Sequence, residues 1–120
     1  MGIDVTTGPD GVEVSADGID RIWALSGGVS LRPEEIADAF VAPRGQLLDE
    51  LGWRIGGTYF PGRMALGHYS WRHRRGVRQL WFAYADDELL AIDTTRLRPG
   101  RVVVQHPDRR RLAAAINGLR

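Results

Sequence analysis

A chain of 120 residues is a single domain, long enough to bury a core without staples, and the absence of Cys excludes a disulfide framework and thiol chemistry. Its sixteen basic residues are all Arg, set against fifteen acids for a net charge of +1, a usage that fits a GC-rich bacterial genome and makes every cation a planar fork suited to carboxylate or phosphate. No apolar run approaches the ~18–20 residues that span a bilayer, and Met1-Gly2-Ile3-Asp4-Val5 lacks the basic-then-apolar pattern of a signal peptide, so the expected location is cytoplasmic, with peripheral attachment at the inner membrane face as the alternative.

Residues 1–10 are polar, carry Gly8-Pro9, and are expected to form a loose, flexible tail ahead of one domain over residues 11–120. Val12-Glu13-Val14 alternates as a strand. Asp17-Gly18 breaks it. Ile19, Ile22 and Trp23 then suit a helical turn with Asp17 as cap, and a strand over Ile22–Leu25 is the alternative. Val29–Leu31 alternates again until Pro33, and Ile36–Ala42 is expected as a strand with Ile36 and Phe40 on one face. Gln46–Leu51 predicts a short helical turn whose Leu47, Leu48 and Leu51 share a face. Trp53-Arg54-Ile55 alternates into Gly56-Gly57, and Thr58–Gly62 reads as a loop with Pro61-Gly62 as its tight turn.

Three closely spaced strands follow: Met64–Arg72, Val77–Ala85 and Leu89–Thr94. Their connections, His73–Gly76 and Asp86-Asp87-Glu88, are short and read as antiparallel hairpins. Leu97–Gly100 is a loop and Arg101–Gln105 the last strand. A helix closes the chain. Pro107 is tolerated at its first position, Leu112, Ala115, Ile116 and Leu119 form its buried stripe, and Asn117-Gly118 stops it.

Certain segments carry a resemblance. Val29-Ser30-Leu31-Arg32-Pro33-Glu34-Glu35-Ile36, then Arg54-Ile55-Gly56-Gly57-Thr58-Tyr59-Phe60-Pro61-Gly62 with Ala65-Leu66-Gly67-His68-Tyr69, then Val102-Val103-Val104-Gln105-His106-Pro107-Asp108, together resemble small bacterial pleckstrin-homology-like domains. The resemblance implies a mainly β fold: a seven-stranded antiparallel two-sheet barrel capped by one C-terminal α-helix. That barrel binds lipid headgroups, peptides or other proteins. Phosphoinositide-binding members carry a Lys-containing basic cluster between the first two strands. Here that region is Ser15-Ala16-Asp17-Gly18-Ile19-Asp20-Arg21, acidic and without Lys, a departure that counts against the usual site. Fold alone does not carry function.

Charge is unevenly placed along the chain. Residues 1–60 hold four Arg and ten acids; residues 61–120 hold twelve Arg and five acids. The expected outcome is that distant strands interleave and the halves neutralise, and a dipolar surface is the alternative. Two Arg clusters are candidate ligand or partner sites. Arg72, Arg74, Arg75 and Arg78 surround one hairpin with Trp71 and His73 adjacent, forks that suit a phosphate or an acidic peptide. Arg109, Arg110 and Arg111 sit in the first turn of the closing helix, where the macrodipole disfavours cations by roughly 0.3–1 kcal/mol each. Backbone amides and Arg together would hold an anion there, or the side chains pair with the acidic first half.

Catalytic constellations are not visible. Gly56-Gly57-Thr58 lacks the Gly-Lys-Ser/Thr of a nucleotide loop, and its glycines are expected to let strands bend or pass closely. Tyr59 and Phe60 are expected to plug a barrel end, with exposed binding aromatics as the alternative. His68 and His73 are five apart, no His-x-x-x-His exists, and no metal or other cofactor is expected. Ser70 has no strained elbow around it. The expectation is therefore a non-catalytic binding or scaffold module whose partner is another protein or a second copy. Peripheral binding to anionic lipid or another phosphorylated ligand is the alternative. Nucleic acid is disfavoured because one hairpin tip offers too few phosphate contacts.

Overall fold

The computed structural model describes residues 3–18 and 27–120. The expected turn at Ile19–Trp23 lies outside them. Nine strands form two sheets among the described residues. The smaller has the order β1-β2-β3, from Ile3–Gly8, Gly11–Ala16 and Gly28–Leu31. The larger contains β4 (Ile36–Pro43), β5 (Leu51–Phe60), β6 (Met64–Trp71), β7 (Arg74–Ala83), β8 (Glu88–Thr94) and β9 (Arg101–Val104), in the order β4-β8-β9-β7-β6-β5. Helices α1 (Arg44–Leu48) and α2 (Arg109–Asn117) pack against the larger sheet. The fold is mainly β with a closing helix, as expected, but the strands number nine rather than seven, the sheets do not close into a barrel, and β7 pairs with β9 in parallel.

Each departure has a local cause. The N-terminal segment is strand β1, not a loose tail. Pro9-Asp10 supplies the two-residue turn that pairs Gly8 with Gly11 and brings Val5 opposite Val14. Its apolar signal is weak because only Val5 is fully buried. In β4 the register shifts between Ile36 and Asp38, and a one-residue slip moves side chains to the other face. Ile36 therefore joins one core while Phe40 packs against the other. Asp86-Asp87-Glu88 does not close a hairpin, because β9 lies between β7 and β8. Val102, Val103 and Val104 are apolar on both faces and need a central position. Gln105 stitches the resulting crossover, its Oε1 accepting the Tyr84 N–H at 2.8 Å and the Asp86 N–H at 3.2 Å.

The larger sheet buries both faces. On one, Leu66, Leu80, Phe82, Leu90, Ile92, Val102 and Val104 meet the inward residues of β1–β3 and Leu112, Ala113 and Ile116 of α2. On the other, Tyr69, Trp81, Ala83, Leu89, Ala91 and Val103 form a second cluster, with Leu47, Leu48 and Leu51 contributed together as their spacing predicts. Helix α2 begins at Arg109, two residues later than expected. Pro107 lies ahead of it, and Ala113 is buried where Ala115 was expected.

Helix α2 also closes one edge of the sheet. The Asn117 side chain accepts the Ala39 N–H at 3.0 Å and donates to the Ala39 carbonyl at 2.7 Å, so it stands where a strand neighbour of β4 would stand. Asn117→Ala leaves both groups without that partner and is expected to cost about 1–2 kcal/mol, read as a lower urea midpoint. An unchanged midpoint would show that water replaces the amide at no cost.

Arg96 joins the loop after β8 to the Pro33–Glu35 turn before β4. Its Nε and Nη2 donate to Glu35 at 2.6 and 2.9 Å, and the Arg32 N–H adds a bond of 2.9 Å. The Arg96 hydrogen bond, followed by that backbone N–H, holds the Glu35 carboxyl at about 2, below its ordinary 4.5. A folded value below the unfolded one stabilises fully above the unfolded value and is lost as pH falls through the folded one. Wild type should therefore lose stability relative to Glu35→Gln as pH drops from about 4.5 to about 2. Thermal melts through that window test it, and a pH-independent difference between the two proteins would refute the linkage.

Candidate functional site

The β6–β7 hairpin turns at Arg72-His73, tighter than the expected His73–Gly76 connection, with His73 at φ 68° in the left-handed region. Trp71 pairs with Arg74 and Ser70 with Arg78, so Arg75, Gly76 and Val77 are extra residues on β7. Such a bulge bends the strand and breaks its alternation locally. Arg74 lies over the Trp71 ring, 4.1 Å from its centroid. Arg101 covers the same ring at 4.4 Å.

Trp71 rests on a part-buried polar frame. Its indole N–H donates to Glu50 at 3.3 Å, while Arg101 donates to Glu50 at 2.9 Å and to Asp93 at 2.6 Å. Burial opposes the charge of Arg101, but its bonds to Asp93 and Glu50 outweigh burial and raise its proton affinity. Gln79, fully buried, donates to the Glu50 carbonyl and accepts the Trp81 indole N–H at 2.9 Å. The hairpin base is therefore fixed by the chain just before β5.

Strand β5 forms the facing wall. The Trp53 N–H donates to Ser70 Oγ at 2.6 Å, and a Cβ at Gly52 would overlap that hydroxyl. The Trp53 side chain stands 83% exposed. Between Trp53 and the Arg72–Gly76 turn lies an open groove of about 800 Å³. A second hollow of about 450 Å³ lies against Trp53, Arg54, Tyr59 and Tyr69. Burial pushes the Tyr69 hydroxyl up to about 12, and it donates to the Thr58 carbonyl at 2.8 Å. Burial first, then the charge of Arg78, lowers His68 from its ordinary value.

Arg72, Arg74, Arg75 and Arg78 make no ion pair with a described acid. The cause is written in the sequence: residues 51–85 contain six Arg and no Asp or Glu. The other cluster is different. Arg110 donates to Glu88 at 2.8 Å, Arg109 lies 3.8 Å from Glu88, and Arg111 bonds Asp108 at 3.1 Å. These acids belong to the second half of the chain, not to the acidic first half. Strand β7 runs from the hairpin to Ala83, and Glu88 opens β8 beyond that far end. The two clusters thus occupy opposite ends of the large sheet.

Charge interleaves between the halves only in part, through Glu35–Arg96, Glu50–Arg101 and Asp38–Arg120. Tyr59 and Phe60 belong to β5 and stand exposed, not plugged into an end. Sequence reading missed Gly52 and Trp53 as the second wall. The acid-free stretch beginning at Leu51, not at Arg63, was the signal that could have found them. Among the described residues no helix is long and apolar enough to cross a membrane. No protein-family profile, curated protein or solved structure matches the chain.

Proposed function

We propose that the chain is a non-catalytic binding module that takes an acidic segment of a partner protein in the groove between β5 and the β6–β7 hairpin. One observation carries this reading: three arginines without a described acid partner, Arg72, Arg74 and Arg75, line one groove with the exposed Trp53. Arg and Trp are the residues on which interface energy concentrates, and unpaired forks draw an oppositely charged partner in. The pleckstrin-homology-like reading rests on the sequence resemblance alone, and a binding role accords with it. A cytoplasmic location goes with the same reading.

Anionic lipid is the second reading, favoured by Trp53 beside the Arg cluster, since Trp suits a surface with one apolar and one wet side. It loses the contribution of Arg109–Arg111, which are ion-paired at the far end.

The test is Arg74→Glu with Arg75→Glu, assayed against a Glu-rich peptide and against phosphatidylserine vesicles. Peptide binding should weaken about tenfold or more and fall with salt. Stability should drop by no more than about 1 kcal/mol, because only the Arg74–Trp71 stacking is lost. Peptide affinity untouched by the reversal would remove this groove as the site. Vesicle binding without peptide binding would give the lipid reading precedence.

A further inference from the structure

Resting on that reading of the groove, we propose that the partner segment runs from the groove at the start of β5 along the outer edge of that strand and pairs with it as an added strand: an acidic, extended polypeptide with apolar residues at alternate positions. The two edges of the large sheet are treated differently. Helix α2 covers β4, with Asn117 occupying both polar groups of Ala39. Strand β5 is ten residues long and, among the described residues, no strand pairs with its outer side. Natural edge strands are kept short, charged or covered because their open amides and carbonyls pair with other chains. β5 is long and uncovered; its register against β6 shifts only within Leu51–Gly56, and it carries four of the five large apolar side chains exposed on the described surface, Trp53, Ile55, Tyr59 and Phe60. An incoming strand gains ladder hydrogen bonds from such an edge and specificity from side chains that alternate across it.

Charge selects the occupant. Arg54 lies on β5 itself, Arg63 follows it, and Arg72, Arg74 and Arg75 flank its first residues through the groove they share with Trp53. With no acid from residue 51 to residue 85, a second copy docking through this strand would set Arg54 and the groove arginines against their own counterparts with no carboxylate from either stretch between them. Carboxylates on the incoming strand meet those forks instead.

The probe is a peptide of about ten to twelve residues alternating Glu and Val, long enough to cover one strand. A second peptide of the same sequence is N-methylated at alternate backbone nitrogens, which removes donors while keeping every charge. The unmodified peptide should bind and slow amide exchange in residues 51–60. The N-methylated peptide should bind about tenfold more weakly or worse. Equal affinity of the two peptides, with loss of both in the Arg74→Glu, Arg75→Glu protein, would overturn strand addition and leave the groove standing. No binding of either peptide overturns the proposal. So does concentration-dependent dimerisation that protects β5 without peptide, or protection of β5 by phosphatidylserine vesicles alone.

Discussion

Arg101→Ala should lower the unfolding free energy by about 3 kcal/mol, near the lower end of what breaking a buried ion pair costs. The guanidinium is almost fully buried, whereas Glu50 and Asp93 keep 40% and 26% of their side chains exposed and recover some hydration when it is gone. The change also removes the aliphatic stem and the cation beside both Phe40 and Trp71. A melting point lower by on the order of 10 °C is the visible result for a domain of this size. Arg101→Met separates the terms: it keeps most of the stem and should recover part, not all, of the loss. If alanine costs under about 1 kcal/mol, the frame beneath Trp71 contributes little to the fold. A lowered peptide affinity in Arg101→Met at unchanged folding would show in addition that this frame sets the position of Arg74 through the ring between them.

Gly57→Ala is the second large effect. Gly57 has φ +123°, a region that essentially only glycine occupies, and it lies opposite Gly67. A Cβ there would overlap the Leu66 carbonyl oxygen of the paired strand. Backbone strain of about 1–3 kcal/mol is therefore joined by a contact that backbone atoms must relieve. The expected total is about 3 kcal/mol in urea unfolding, with amide exchange in β5 and β6 accelerated ahead of the rest. Gly62 is the matched comparison: it also has positive φ, but a Cβ there meets nothing within 4 Å. Gly62→Ala should cost less than Gly57→Ala, and equal losses would mean that the close approach of β5 and β6 is not the cause.

These two positions show what sequence could and could not display. Gly57 was legible: a glycine pair inside an alternating pattern marks a bend or a close pass, and the strands do pass closely there. The alternation of β2, the apolar run of β8 and the stripe of α2 were legible for the same reason, since each is a local pattern with one period. Arg101 was not legible. It looked like an ordinary strand end, and only the pairing of β9 between β7 and β8 brings it to Glu50 and Asp93. Nor was the order of strands. A short acidic turn after β7 has the form of a hairpin, and nothing local announces that the later strand Arg101–Val104 takes the central place. The hairpin arginines were found by composition. The wall opposite them was not, because exposure of Trp53 follows from the position of β5 at an edge, and position is a property of the whole sheet.

The insertion of β9 has a consequence for how the chain is made. Until residues 101–104 leave the ribosome, β7 and β8 each lack an inner neighbour, and the valines that join both cores are missing. Assembly cannot advance strand by strand from the amino end; of the six strands of this sheet, a central one is made last. The nascent protein must therefore hold its apolar β7 and then β8 segments unsatisfied until β9 follows them, an interval in which a chaperone that shields Leu80–Ala83 and Leu89–Ile92 would raise its yield.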